Sequence, residues 1–479
     1  MKRVRTRFAP SPTGFMHLGG LRTALYAYLY AKSNGGDFIL RIEDTDQQRY
    51  VEGAIDVIYN SLKESGLYYD EGPDIGGNYG PYVQSERKEI YAEYAKKLID
   101  LGGAYYCFCS KERLESLTDA NGNRKYDKHC LHLPKEEVER RIAAGEPYVI
   151  RQNIPTEGTS SYEDLIYGTI NVDYDELEDN ILIKSDGMPT YNFANVIDDH
   201  LMGITHVIRG TEYLSSTPKY NLMYDAFGWE RPVYIHLPTI MKDATRKLSK
   251  RYGDANFDDF VNKGYLKEAI INYVALLGWA PKDNVEKMTL SEMIEKFSLD
   301  GISKSPSIFD EVKLRWLNGE YIRALGEEEF YEAALPFLQK SKVNGKYDLK
   351  KIAKLLHGRT EVLGEIPEKI DWLAEIEPYD LSLYDNKKNK TDREVAKNLL
   401  PEIKKYLAEI DDFSNDNLYQ TLSAKAAEAG IKSGALFWIM RIAITGQGVT
   451  PGGATEMAAL LGKEETLERI DFSMDLLNK

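Results

Sequence analysis

A chain of 479 residues, 43% hydrophobic and 29% charged, has an ordinary globular composition and the length for two to four domains with ample core. The basic start at residues 1–8 leads into no apolar stretch and no apolar run of about 18 residues occurs, so neither a signal peptide nor a membrane span is expected. Three cysteines are too few for a disulfide framework and point to a reducing cytoplasm, while a net charge of −15 argues against an indiscriminate nucleic-acid binder. That charge leaves room for a large enzyme that gathers Lys and Arg on one face.

Val4, Thr6 and Phe8 alternate like a buried strand, and Leu21, Leu25, Tyr28 and Leu29 recur at helical spacing. Residues 7–20, RFAPSPTGFMHLGG, are therefore a strand-to-helix turn. Pro10 and Pro12 stiffen it and remove two N–H donors, and Gly14, Gly19 and Gly20 let a ligand approach main chain closely. The positive end of the following helix favours a phosphate, with His17 placed to reach it. Neither the G-x-G-x-x-G fingerprint nor a Walker loop is present. A second strand at 37–42 completes a βαβ unit. It ends in Arg41-Ile42-Glu43-Asp44-Thr45-Asp46, at the strand end where open α/β sheets bind ligands. Glu43 there suits a substrate ammonium, and Asp44 or Asp46 a brace between loops. A solvated acidic loop is the plain alternative, and for Asp46 it is as good. An ordered loop from 72 to 87 feeds a helix at about 88–101, with Ile90, Tyr94 and Leu98 on one face.

Residues 105–132 break this rhythm and hold all three cysteines, in Cys107-Phe108-Cys109 and Cys130-Leu131-His132. C-x-C and C-x-H pairs separated by a loop make a tetrahedral S₃N site that suits zinc, with Tyr126 or His129 as alternative fourth ligands. Three buried thiols beside a surface His are the other reading. Short β-prone runs alternate with turns from 149 to 175, so residues 102–186 form a mixed insertion between two halves of a sheet. The sheet resumes at 181–184, and a strand at 206–209 ends in Arg209. That position suits a bidentate carboxylate contact, or an ion pair with Asp198 or Asp199. Beyond 254 strand patterns nearly vanish, and Leu266, Ile270, Val274 and Leu277 form a helical stripe. The chain is helical from about 326, with a polar break at 385–392 and a further helix marked by Val395, Leu399, Ile403, Leu407 and Ile410.

His17-Leu18-Gly19-Gly20 resembles the His-x-Gly-His signature of class I aminoacyl-tRNA synthetases, and Arg22-Thr23-Ala24-Leu25 behind it makes the string similar to the glutamyl branch. Lys247-Leu248-Ser249-Lys250-Arg251 resembles the Lys-Met-Ser-Lys-Ser loop of the same class, in the form common in that branch. Both strings occur in order, and the resemblance covers essentially the whole chain. It implies an α/β Rossmann-like catalytic domain in two halves, 1–101 and 187–253, around an inserted mixed α/β connective domain at 102–186 that holds the tRNA acceptor end. All-α stem-contact (254–325) and anticodon-binding sub-domains (326–384 and 385–479) follow.

The implied activity is that of a cytoplasmic, monomeric ligase. It activates L-glutamate with ATP and Mg²⁺, releases pyrophosphate, and transfers glutamate to the 3′ end of tRNA(Glu). His17, Lys247 and Lys250 are the implied catalytic groups, the lysines neutralising charge on the departing pyrophosphate. Gly19 and Gly20 join His17 and Lys250 at ATP, and Arg7, Ala9, Ser11, Glu43, Tyr191, Asn195 and Arg209 bind the amino acid. Cys107, Cys109, Cys130 and His132 are the expected Zn²⁺ ligands, in a branch with both zinc-bearing and zinc-free members. Arg359, in the string 357–363, is expected to read the third anticodon base. The alternatives are a form that also charges tRNA(Gln), a non-catalytic tRNA-binding relative, and a cofactor adenylyltransferase sharing the first turn. Such adenylyltransferases have no use for the helical C-terminal half.

Overall fold

The computed structural model describes residues 2–46, 48–117, 125–246, 248 and 256–479. The chain divides into two compact units, one of Met1–Phe260 and Lys267–Glu311, the other of Val261–Leu266 and Val312–Lys479.

In the first unit β1 (Arg5–Phe8) and β2 (Asp37–Leu40) pair in parallel across α1 (Leu18–Ser33), with Arg5 opposite Asp37 and Phe8 opposite Leu40. Leu21, Leu25 and Leu29 of α1 are fully buried, as their spacing requires, and Leu18 extends the same face by one turn. The His17 ring caps the helix at that end: Nδ1 accepts the Gly20 N–H at 3.1 Å. Helices α2 (Ala54–Glu64) and α3 (Lys88–Asp100) follow. The insertion supplies β3 (Ala104–Cys107), α4 (Lys111–Ser116), α5 (Lys135–Ala143), β4 (Val149–Gln152), β5 (Thr159–Asp164), β6 (Gly168–Asp173) and β7 (Ile181–Ile183).

Strands β3, β4 and β7 form an antiparallel sheet, and β5 with β6 forms a hairpin. The hairpin turns at residues 165–167. Asp164 Oδ1 takes the N–H groups of Ile166 and Tyr167, both at 2.9 Å, and Gly168 follows at φ +77°. After α6 (Tyr191–Leu201), strands β8 (His206–Gly210) and β9 (Val233–Leu237) pair in parallel around α7 (Thr217–Phe227). Strand β5 joins β9 where Asp164 faces Tyr234, giving the order β6-β5-β9-β8. Thr205 N–H donates to the Arg5 carbonyl at 3.0 Å and ties the start of β8 to β1. The unit ends with β10 (Ile240–Met241), all but the last two residues of α8 (Phe257–Asn262), α9 (Lys267–Leu276), α10 (Leu290–Lys296) and β11 (Ser307–Ile308).

The second unit is all helical: α11 (Glu311–Ala324), α12 (Glu327–Leu338), α13 (Leu349–Leu356), α14 (Ile366–Ile370), α15 (Arg393–Ala408), α16 (Asn415–Glu428), α17 (Ser433–Thr445), α18 (Ala454–Leu461) and α19 (Lys463–Asn478). One apolar core runs from Ile322 to Leu477 and draws on both sides of the polar stretch 385–392. Helix α15 is anchored by Asp392, whose carboxylate takes the Val395 N–H at 2.9 Å. Val395 itself stays outside, and Ala396 is buried in its place. Among the described residues no helix is long and apolar enough to cross a membrane.

Candidate active site

The turn after β1 and the N-terminus of α1 form one wall of a cavity of about 630 Å³. Arg7, Ala9, Ser11, His17, Gly19 and Gly20 line that wall. Glu43 enters beyond β2, Tyr191 from the first turn of α6, and Arg209 from the end of β8. Asn195 does not reach the cavity. It is buried one turn further along α6, where Nδ2 donates to the Tyr191 carbonyl at 2.6 Å and braces the turn that presents Tyr191. Of the second string, Leu248 lines the same cavity, while Lys247 and Lys250 lie outside the described residues. Asn256, where the described chain resumes, bridges to His17, and Phe257 N–H donates to Met16 O at 3.3 Å. The cap fixes the His17 tautomer too. With Nδ1 accepting from Gly20, the neutral ring carries its proton on Nε2, a donor suited to a phosphate oxygen.

A buried charge chain runs under the cavity. Arg7 grips Asp199 through Nε at 2.9 Å and Nη2 at 3.3 Å, Arg41 Nη1 meets Asp199 at 2.8 Å, and Arg41 Nη2 meets Glu43 Oε1 at 2.9 Å. Burial presses the Asp199 carboxyl up, and two guanidiniums outweigh it, so that carboxyl sits below its usual range. Glu43 is equally buried but leans chiefly on Arg41, and burial keeps it above the usual range. A cation arriving at Glu43 would complete the compensation. Asp198 belongs to the scaffold instead, accepting from Gln84, Arg87 and Tyr91 at 2.9, 2.7 and 2.7 Å. Sequence brings Arg41 forward only as the first residue of the acidic string and Asp199 only as a possible partner of Arg209; nothing in it joins the two.

Arg209 is buried among Tyr213, Tyr220 and Tyr234, whose ring centres lie 5.1, 4.9 and 5.5 Å from its guanidinium carbon. Its hydrogen-bond partners among the described residues are neutral: His236 Nε2 at 3.1 Å and Thr217 Oγ1 at 2.7 Å. The acids that sequence suggests as its ion-pair partners, Asp198 and Asp199, are bound to other arginines. A buried guanidinium without a carboxylate is costly, and here it faces a cavity.

At a separate place in the first unit, Cys107, Cys109 and Cys130 bring their sulfurs within 4.8 Å of one another. The Tyr126 hydroxyl sits among them, 3.3 Å from Cys107 Sγ and 3.4 Å from Cys109 Sγ. Arg151 Nε lies 3.3 Å from Cys107 Sγ, and Arg113 Nη1 3.6 Å from Cys109 Sγ. Hydrogen bonding from Cys130, with help from Tyr126 and Arg151, holds the Cys107 thiol far below its usual range. His129 and His132 are exposed and stand outside this group. The reason is local. Residues 129–132 form a 3₁₀ turn, in which positions i and i+3 share a face, so turning Cys130 inward turns both imidazoles outward.

In the helical unit Arg359 lines a cavity of about 750 Å³ with Lys351, Lys354, Phe413, Asn415 and Glu456. Its Nη1 donates to the carbonyls of Thr450, at 2.8 Å, and Pro451.

Residues 3–316 match the family described as tRNA synthetases class I (E and Q), catalytic domain. The chain belongs to that family. In this class I synthetase residues 329–474 further match an anticodon binding domain. It is 57% identical to a glutamate–tRNA ligase of Clostridium tetani over 99% of this chain and 98% of that one. It is 58% identical to one of Clostridium botulinum over 99% of each. A solved structure of a glutamate tRNA ligase from Elizabethkingia meningosepticum, in complex with its amino acid, covers 99% of both chains at 36% identity with a TM-score of 0.89. ATP and Mg²⁺ come with membership of the class.

Proposed function

We propose that this synthetase is a glutamate–tRNA ligase, and that its cavity is where glutamate and ATP react. One observation carries the reading. The turn at His17, the second string at Leu248 and the caged Arg209 share a single cavity, although Leu248 follows His17 by 231 positions.

In this reading Glu43 takes the substrate ammonium, and Arg7 and Arg209 take carboxylate charge of glutamate, with Ala9, Ser11 and Tyr191 shaping the pocket and Asn195 supporting Tyr191. The α-carboxylate oxygen attacks the α-phosphorus of ATP, and the bond to the leaving oxygen breaks, so the electron pair departs with pyrophosphate. A carboxylate is already ionised at neutral pH, so the step needs no protein base. Positioning and charge neutralisation supply the rate. The Nε2–H of His17, the main chain at Gly19 and Gly20, Lys247 and Lys250 act on the phosphates. A 3′-terminal ribose hydroxyl of tRNA(Glu) then attacks the acyl carbon and AMP leaves. We divide the chain for these tasks as 1–101 and 187–253 for chemistry, 102–186 for the acceptor end, 254–325 for the stem, and 326–384 with 385–479 for the anticodon, in a cytoplasmic monomer. Charging of tRNA(Glu) with labelled glutamate is the direct test, and no acid-stable transfer above a no-enzyme control overturns the proposal.

For the thiol cluster we propose one Zn²⁺ held by Cys107, Cys109, Cys130 and the Tyr126 oxygen, in place of His132. The ion would tie the end of β3 to residues 126–130, a structural task. Elemental analysis of protein purified without chelator should find one zinc per chain, with Tyr126→Phe lowering retention and His132→Ala leaving it as it was. Metal content near zero with freely titrating thiols contradicts the site.

Arg359 we assign to the third anticodon base, C in tRNA(Glu) and G in tRNA(Gln). Two carbonyls hold one edge of its guanidinium, and the remaining donors suit a base edge. Arg359→Gln should relax the preference for tRNA(Glu) by about 1–3 kcal/mol. Wild-type enzyme that charges both tRNAs with similar kcat/KM contradicts this assignment.

A further inference from the structure

His236, at the end of β9, is wholly buried, and nothing in the chemistry above uses it. Its Nδ1 lies 2.7 Å from Asp164 Oδ2 and its Nε2 lies 3.1 Å from Arg209 Nε. Asp164 ends β5 and has both oxygens occupied. Oδ1 accepts the N–H groups of Ile166 and Tyr167 at 2.9 Å, and Oδ2 accepts the His236 N–H at 3.0 Å besides the ring. Every neighbour of this carboxylate donates, so it can only accept, and the proton between Asp164 and the ring belongs to Nδ1. Burial and the nearby Arg209 cation press the ring away from a second proton. Nε2 therefore offers a lone pair to Arg209, which has donors only.

The rest of the guanidinium follows. Thr217 donates its hydroxyl to the Tyr213 carbonyl at 2.8 Å and accepts from Arg209 Nη2 at 2.7 Å. His236 Nε2 and Thr217 Oγ1 are 3.5 Å apart and together close the Nε–Nη2 edge. What remains for a ligand is the Nη1–Nη2 edge of a side chain that lines the cavity. Both closing groups are neutral. A carboxylate in the place of His236 would hold the same edge but cancel the charge that distinguishes a glutamate side chain from glutamine. With the imidazole interposed, Asp164 sets the geometry one ring away and Arg209 keeps its charge for the substrate.

We infer that Asp164 and His236 are positioning residues for amino-acid selection, fixing the imidazole tautomer that holds Arg209 end-on to the carboxylate of the substrate side chain. The inference rests on the proposed role of Arg209. It also makes the amino-acid pocket depend on the insertion, because Asp164 comes from the hairpin strand β5.

Three variants test it, by aminoacylation with glutamate and with glutamine. His236→Leu removes both ring bonds. Asp164→Asn admits the Nε2–H tautomer, whose donor meets the donor of Arg209. His236→Gln keeps an acceptor in reach. In the first two, KM for glutamate should rise about 10- to 100-fold, the loss expected for a hydrogen bond to a charged group, with a smaller change in kcat. The glutamate-to-glutamine ratio of kcat/KM should fall with it, and His236→Gln should recover most of the loss. Folded His236→Leu and Asp164→Asn proteins with wild-type KM and ratio, beside an Arg209→Gln enzyme that has lost both, overturn the inference alone. An Arg209→Gln enzyme that still selects glutamate overturns the role of Arg209 as well. Nitrogen-15 spectra of histidine-labelled wild-type protein read the tautomer without any substitution. Protonation on Nδ1 alone supports the inference, and an Nε2–H or charged His236 ring overturns it.

Discussion

Lys250→Ala is expected to slow adenylate formation by about 10²–10³-fold while weakening ATP binding far less, as befits an electrostatic interaction that acts mainly on the transition state. Negative charge builds on the bridging oxygen as pyrophosphate departs, so an ammonium placed there gains more in the transition state than in the ground state. Lys250 itself lies outside the described residues. Leu248 on one side of it lines the cavity, and Asn256 on the other bridges to His17. Single-turnover rates of adenylate formation, set against ATP affinity measured by equilibrium titration, separate the two effects. Equal losses in rate and binding contradict a transition-state role.

Arg209→Gln is expected to lower kcat/KM for glutamate by about 10²–10³-fold and to abolish most discrimination against glutamine. The cation is buried, and its hydrogen-bond partners among the described residues are uncharged. A substrate carboxylate is therefore the missing half of a buried ion pair, and a neutral amide in its place leaves the guanidinium unsatisfied. A glutamate carboxylate that pairs with Arg209 stabilises the folded protein on binding, so the variant should lose the stabilisation that glutamate confers on wild type. A variant that melts much lower and retains its preference for glutamate would mean that Arg209 serves the scaffold.

The parts of this site legible in the sequence are those where chemistry and chain direction coincide. The turn at residues 7–20 announces itself through its prolines, its glycines and the apolar period behind it, and Glu43 and Arg209 stand at strand ends where α/β sheets bind ligands. Groups joined only through space are silent. Asp164 and His236 are 72 residues apart, and Asp164 sits in a stretch whose composition suggests only strands and turns. The Arg7–Asp199–Arg41–Glu43 chain depends on three separate elements meeting beneath the cavity. Local geometry also overrides spacing. The Cys-x-His pair points to His132 as the fourth zinc ligand, whereas a 3₁₀ turn faces Cys130 inward and both histidines outward, leaving Tyr126 among the thiols. In α1 the start at Leu18 rests on the His17 side-chain cap as well as on the apolar face, and the cap has no apolar spacing to announce it. The acidic total says little about the anticodon end, because Lys351, Lys354 and Arg359 gather around one cavity of the helical unit.

ATP–pyrophosphate exchange, run with tRNA(Glu) present and with L-glutamate or L-glutamine as the amino acid, tests the central claim most directly. It reports formation of the adenylate at the cavity independently of transfer to tRNA. The predicted result is exchange that depends on glutamate and Mg²⁺ and stays at background with glutamine. Background exchange with both amino acids, or equal exchange with each, would contradict it.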